Sequence, residues 1–242
     1  MRIKIVTEYD GTSFCGWQVQ PNARSVQEEI ELAVKLITGE TVRVTGSGRT
    51  DSGVHAKGQV AHFDTSANIP PQNFYKALNT KLPADVRVLS SSEVSQDFHA
   101  RYSAKQKTYE YRLYVSETER PLYSKYASRV DGFDVDKIKS AIEVIKGEHD
   151  FKCFCASGSE VETTVRTIYD LSATNDGDFI VIRITGNGFL YNMVRMIVGA
   201  LKAVSDGKIT ADDVKNALLS GERIKGTATA EAKGLSLVEV KY

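Results

Sequence analysis

Gly46-Ser47-Gly48-Arg49-Thr50-Asp51-Ser52-Gly53-Val54-His55-Ala56 places one arginine and one aspartate among three glycines. Residues of β type lie on both sides, Thr41-Val42-Arg43-Val44 before and Gln59-Val60-Ala61-His62-Phe63 after. The stretch therefore predicts a strand, a tight loop and a second strand. Glycine lets a backbone take φ > 0 or approach a ligand closely, at an entropic cost in any ordered segment. Two readings follow. The loop presents the Asp51 carboxylate for chemistry, or it is a polar connection whose aspartate caps its own backbone.

Working outward, Ile3 to Glu8 reads as an opening strand. It is followed by the turn-rich Tyr9-Asp10-Gly11-Thr12-Ser13-Phe14-Cys15-Gly16-Trp17-Gln18. Ser25-Val26-Gln27-Glu28 is a capping box that opens a helix stopping at Gly39. Pro70-Pro71 starts a second helix through Lys81, and Val86 to Val94 resumes strand character. Lys107 to Val115 alternates, with Tyr109, Tyr111, Leu113 and Val115 predicted on one face. Asp134 caps a helix ending at Gly147. Val165 to Ala173 and Phe179 to Thr185 form a hairpin across Asn175-Asp176-Gly177-Asp178. An apolar helix from about Phe189, a short helix opened by Thr210-Ala211-Asp212-Asp213, and a strand from Leu235 to Val240 complete the chain. Each half mixes strands with helices. The expected organisation is two α/β halves, 1–103 with the Asp51 loop and 104–242, whose sheets could be continuous. The fold class is α+β.

At 242 residues the chain can bury a core without disulfide staples, and 41% hydrophobic with 26% charged residues fits a globular protein. Met1-Arg2-Ile3-Lys4-Ile5-Val6 enters a strand directly, and no apolar run reaches membrane-spanning length. Cys15, Cys153 and Cys155 are an odd set without CxxC spacing, so reduced thiols and a cytoplasmic location are expected, with no membrane partner. Asp51-Ser52-Gly53 also matches an aspartic-protease triplet. That chemistry needs two carboxylates sharing a proton, and no second such triplet occurs. His55, His62, His99 and His149 fit no zinc spacing, so no metal is expected.

Lys plus Arg and Asp plus Glu are 31 each, so net charge excludes nothing; local balance says more. Between Phe98 and Arg129, Arg101, Lys105, Lys107, Arg112, Arg120, Lys125 and Arg129 outnumber Glu110, Glu117 and Glu119. Six tyrosines (Tyr102, Tyr109, Tyr111, Tyr114, Tyr123 and Tyr126) are interleaved with them. Cations beside aromatic faces suit single-stranded or looped nucleic acid, although a tyrosine-rich packed strand face would give the same pattern. Trp17 suits either stacking on RNA or packing. Phe189 to Leu201 is apolar almost all round, the pattern of a buried helix, and its one charge is Arg195. A buried guanidinium stays protonated and must be paired; the alternative is that it snorkels to the surface. Asp51 is the carboxylate the glycine loop offers it. A bidentate pair would orient the carboxylate and hold it ionised.

The chain resembles the tRNA pseudouridine synthase A family along essentially its whole length. The matching blocks, in order, are Tyr9-Asp10-Gly11-Thr12 with Gly16-Trp17-Gln18; Ser25 to Glu28; Gly48 to Ala56 with Gly58-Gln59-Val60; Asp97-Phe98-His99-Ala100-Arg101; Lys107 to Tyr111; Gly147 to Phe151; Val165-Arg166-Thr167; and Gly188 to Gly199. One departure is Ala230-Glu231-Ala232-Lys233-Gly234-Leu235, where the family usually carries proline after the alanine.

The resemblance implies a cofactor-free isomerase that converts uridine to pseudouridine in the tRNA anticodon stem-loop, acting as a homodimer. It implies two related halves forming a largely antiparallel central sheet flanked by helices. Asp51 takes the place of the catalytic aspartate, Tyr109 of the tyrosine packed on the target uracil, and Arg195 of the basic partner. Arg49 takes the place of the arginine filling the space left by the flipped base. Arg101, Lys105, Lys107 and Arg112 are then candidates for phosphate contact. A binding protein without catalysis, using the same basic and aromatic surface, is the competing expectation.

Overall fold

In a computed structural model, which describes residues 1–156, 158 and 161–242, the chain divides into two units, Met1–Lys105 with Ser236–Tyr242, and Gln106–Leu235. The first carries β1 (Arg2–Tyr9), α1 (Val26–Thr38), β2 (Thr45–Gly46), β3 (His55–Asp64), α2 (Phe74–Asn79) and β4 (Val86–Val94). The second carries β5 (Gln106–Val115), β6 (Ser128–Val130), α3 (Lys139–Ile145), β7 (Gly147–Asp150), β8 (Val165–Asp176), β9 (Phe179–Gly186), α4 (Met193–Ser205) and α5 (Ala211–Ser220). The last strand, β10 (Leu235–Lys241), rejoins the first unit from Ser236 onward. This is the mixed α/β class with mostly antiparallel strands and helices that the sequence leads one to expect.

In the first unit the strands lie in the order β4-β1-β3-β10. β1 runs antiparallel to both β3 and β4, with Ile3 opposite Phe63 and Glu93. β10 is parallel to β3, pairing Ser236 with His55 and Leu237 with Ala56. Alternation along β1 turns Ile3, Ile5, Thr7 and Tyr9 inward. α1 buries Val26, Ile30, Ala33 and Val34. Its start is set by Ser25, whose Oγ accepts from the Glu28 N–H at 3.3 Å, and its end by Gly39 in the left-handed region at φ 77°. α2 lies against β4. It starts later than the Pro70-Pro71 signal predicts, because Pro71–Asn73 forms a 3-10 turn before Phe74 turns α-helical.

In the second unit the order is β5-β9-β8-β7, antiparallel throughout, with β6 added parallel to β5. Ile180, Ile182 and Ile184 alternate inward along β9, and α3 packs on α4, α5 and β8. The Thr210 box opens α5: its Oγ1 accepts from the Asp213 N–H at 3.2 Å, and Asp213 Oδ2 accepts from the Thr210 N–H at 2.7 Å. The hairpin between β8 and β9 is tighter than predicted, with Asp176 already paired to Phe179 across Gly177-Asp178.

Three local expectations change. Thr41 to Val44 is not a strand; the pairing residues are Thr45 and Gly46, opposite His62 and Ala61. On β5 the alternation fails at the end: Val115 is exposed while Tyr114 is buried, where it meets the Tyr123 ring at 5.5 Å and its backbone pairs with Arg129 of β6. Asp134 caps a turn rather than a helix, accepting from the Asp136 and Lys137 N–H groups, and α3 begins five residues later.

At the departure from the family pattern, Glu231 has φ −60° and ψ 149°, which is the backbone a proline would fix. Its carbonyl accepts from the Tyr111 hydroxyl at 2.8 Å, an interaction a proline keeps. Glu231→Pro is therefore expected to raise stability by about 0.4–1 kcal/mol through the unfolded state, read as a higher midpoint in urea. A lower midpoint would show that the Glu231 N–H or its exposed pairing with Lys233 matters more.

Candidate active site

The Asp51 loop is held by the Tyr9–Trp17 segment, by its own turn and by β3, through four backbone anchors. The Trp17 N–H donates to the Thr50 carbonyl at 3.0 Å, and the Gly53 N–H donates to the Phe14 carbonyl at 3.3 Å. The Val54 N–H closes the turn onto the Asp51 carbonyl at 3.1 Å, while Ser47 N–H reaches the Val60 carbonyl at 2.7 Å. Side chains complete the frame. The buried Tyr9 hydroxyl is 2.7 Å from Thr50 Oγ1, and burial keeps that phenol far above its ordinary range, so it stays a neutral hydrogen-bonding group. Ser47 Oγ donates to Gln59 Oε1, and Gln59 Nε2 donates to the Gly48 carbonyl.

Two glycines make this close approach possible, for different reasons. At Gly16, φ is +95° and a Cβ would stand 2.5 Å from the Thr50 carbonyl oxygen. At Gly11 a Cβ would stand 2.0 Å from the Val54 carbonyl oxygen. The Gly11 N–H also donates to Nδ1 of the buried His55 at 3.0 Å, with Asp10 Oδ1 3.3 Å away, which gives that histidine a structural place under the loop. Gly11→Ala is expected to cost about 1–3 kcal/mol of stability through overpacking and to lower activity further than that by shifting the loop. Urea unfolding and turnover measured side by side would check it; an unchanged midpoint would mean the loop yields without cost.

Trp17 is a packing residue. It is 3% exposed and its indole edge lies where a Gly46 Cβ would be, at 2.6 Å. Asp51 itself is half-buried, and Arg49, two residues earlier on the same loop, is exposed. His62 and His99 are neighbours at 5.0 Å between ring centres, and burial lowers both below the ordinary imidazole range. His149 instead bonds the Lys146 carbonyl, so the histidines serve local structure.

In the second unit, Tyr109 on β5 is buried, with Phe189 set edge-on to its ring at 5.1 Å and 85°. Lys107, two residues earlier, shares that face of the strand. Arg112 lies on the opposite face, where its Nε donates to the buried Glu110 at 2.9 Å. Arg183 also pairs with Glu110, at 3.2 Å.

Arg195 is half-buried in α4, less enclosed than the surrounding apolar sequence predicts. The reason is its place in the first turn: α4 begins at Met193 rather than near Phe189, because Asn192 adopts φ 60° and interrupts the chain before it. The guanidinium is oriented by two bonds, Nε to the Ala230 carbonyl at 2.7 Å and Nη1 to Asn192 Oδ1 at 2.8 Å. Asn192 is thus a positioning residue that sequence reading missed. Its signal was available, since asparagine is the residue that most readily occupies the left-handed region outside glycine. Behind Arg195, a Gly199 Cβ would fall 1.7 Å from the Ala228 carbonyl oxygen, and the Ala230 N–H donates to the Arg195 carbonyl at 3.1 Å. The 228–230 segment is thereby pinned to the helix.

Two polar assemblies are therefore present, one displaying an aspartate and one displaying an arginine, each with its backbone over-determined. The structure brings Asp51, Arg49 and Arg101 into the first unit, together with Lys105, whose N–H donates to the Lys241 carbonyl. It brings Tyr109, Lys107, Arg112 and Arg195 into the second. Among the described residues no helix is long and apolar enough to cross a membrane.

The profile of the tRNA pseudouridine synthases matches residues 5–103 and 141–242, and the chain belongs to that family. Pseudouridine synthases are isomerases, converting uridine to pseudouridine. Among curated relatives, the tRNA pseudouridine synthase A of Thermoanaerobacter sp. strain X514 is 45% identical over 241 residues, covering 99% of both chains. That of Acetivibrio thermocellus is 46% identical over 241 residues, again covering 99% of both chains. That of Halalkalibacterium halodurans is 47% identical over 236 residues, covering 97% of this chain and 90% of its own.

Proposed function

We propose that this chain isomerises uridines in the anticodon stem-loop of tRNA, acting in the cytoplasm as a homodimer and without metal or cofactor. The observation that carries the reading is the anchoring of the Asp51 loop at both sides of the carboxylate, through Thr50 and Gly53. A residue whose backbone is fixed this firmly reaches a reacting atom without further ordering cost.

The reaction breaks the N1–C1′ bond, turns the uracil within the site, joins C5 to C1′ and releases the C5 proton while N1 gains one. Asp51 acts on the sugar. As a carboxylate it either stabilises or attacks the electron-poor C1′, as glycosidase carboxylates do, or takes the proton from C2′. Arg195, with its guanidinium already oriented by Ala230 and Asn192, holds that carboxylate ionised and aimed. Tyr109 provides the aromatic face that keeps the freed base in place, and its hydroxyl is suited to removing the C5 proton. Arg49 fills the gap left when the nucleotide leaves its stack, a step that costs a few kcal/mol. Arg101, Lys105 and Lys107 neutralise phosphates. Arg112 joins them by exchanging Glu110 for the RNA.

Incubation with unmodified tRNA tritiated at uracil C5 is expected to release tritium to water in a time-dependent way. No release from any uridine of the anticodon arm, with gel retardation retained, would favour a binding protein without catalysis. Light scattering behind a sizing column is expected to give twice the mass of the 26.7 kDa chain, and a monomer mass would remove the dimer.

A further inference from the structure

Arg43 and Arg49 from one stretch of the first unit, and Arg101 from another, line one pocket of about 130 Å³. Trp17 forms a wall of it, and Gly46 and Gly48 add backbone without side chains. Arg43 was not singled out by the sequence. A carboxylate beside these cations is Glu31, 3.8 Å from Arg43 Nε. Glu31 is already committed, accepting from Gln27 Nε2 at 2.7 Å and from the Val44 N–H at 3.0 Å. Arg49 is exposed, and Arg101 is exposed with its guanidinium 5.8 Å from the Tyr102 ring centre. Arg43 and Arg101 bring two cations to this small concavity, and the forked donors of a guanidinium match the oxygens of a phosphate.

We propose that this pocket seats a backbone phosphate of the RNA substrate. The proposal rests on the tRNA isomerase reading and adds a fixed point to it. Arg49 and Asp51 are two residues apart, so their Cα atoms lie within about 7 Å of each other. A phosphate held at the pocket thus fixes the strand close to the nucleotide that Asp51 works on. Arg43 and Arg101 set where the RNA lies, and Arg49 joins the seat to the catalytic loop.

The test measures the affinity of unmodified tRNA at several salt concentrations for the full chain and its variants. Removing one cation that neutralises a phosphate should reduce the slope of log affinity against log salt by about 0.7–0.9. Arg43→Gln is expected to reduce it that much and to raise KM for tRNA several-fold, and Arg101→Gln to move both in the same direction. Lys139→Gln, a charge change at a side chain 72% exposed on α3 and paired with Asp136, is expected to alter neither. An Arg43→Gln variant that keeps the parent slope and KM overturns the proposal, as does a Lys139→Gln variant that changes as much. Inorganic phosphate at fixed ionic strength separates the two sources of the anion. Failure to displace tRNA supports an RNA phosphate, while displacement well below millimolar that Arg43→Gln abolishes assigns the pocket to free phosphate and overturns it. Because the slope is a binding measurement, its outcome stands apart from tritium release, whose absence would defeat the isomerase reading instead.

Discussion

Asp51→Asn is expected to remove turnover, by roughly a thousand-fold or more, while tRNA affinity stays within several-fold of the parent. The magnitude follows from what the carboxylate is asked to do. Whether it meets C1′ or takes the C2′ proton, an amide can do neither, and losing a nucleophile or base costs orders of magnitude. Affinity should hold because phosphate contacts dominate RNA binding, and Asp51 carries the wrong charge to contribute to them. The backbone should hold as well, since the anchors on either side use Thr50 and Gly53 rather than the Asp51 side chain. Single-turnover tritium release and equilibrium binding on the same preparation separate the two quantities. A loss of affinity matching the loss of rate would make Asp51 a recognition residue.

The second large effect is expected at Arg195. Arg195→Met follows most of the stem and keeps the apolar packing of α4, but it removes the guanidinium that we assign to Asp51. Turnover should fall by about a hundred-fold or more, the scale of a catalytic group misplaced by an ångström, with KM changed much less than kcat. Arg195→Lys should restore little, because a point charge cannot reproduce two bonds in a fixed plane. Asn192→Gly offers the matching readout. It keeps a backbone that tolerates φ 60° and deletes the Oδ1 that Arg195 Nη1 donates to. A smaller fall in kcat at an unchanged unfolding midpoint is expected. Near-parent kcat in Arg195→Met would refute the pairing with Asp51, and a loss matched by unfolding would reduce Arg195 to a structural residue.

Much of this was legible because local chemistry leaves marks in sequence. Ser25 with Gly39, and Thr210 with Asp213, bound their helices where the capping rules place them, since a cap joins residues three or four apart. The Asp51 loop was legible as a loop for the same reason: its glycines and the β-type residues on both sides mark a tight turn before β3. What could not be read were contacts between distant stretches. Nothing near Gly11 or Gly16 says that each gave up a side chain to let the carbonyls of Val54 and Thr50 approach. Alternation sets Tyr114 on the face opposite Tyr109 and Tyr111, and nothing nearby says that Tyr123 and β6 will cover it. The exposure of Arg195 was misjudged because a helix start moved by one asparagine, and a shift of one turn changes which residues a helix end leaves open. The pocket escaped the sequence because Arg101 and Trp17 reach Arg43 and Arg49 only through the fold.

The return of β10 to the first unit has a consequence for biosynthesis. While a ribosome is still making residues 106–235, β3 has been produced but its parallel neighbour does not yet exist. Beside His55 and Ala56 the nascent polypeptide then carries bare amide and carbonyl groups, the kind of border that invites wrong partners. That border adjoins the bend holding Asp51, so this bend gains its lateral support only once Ser236 and Leu237 have been made. The first unit is thereby completed only after the second has been made: its sheet waits for a strand that lies beyond residues 106–235.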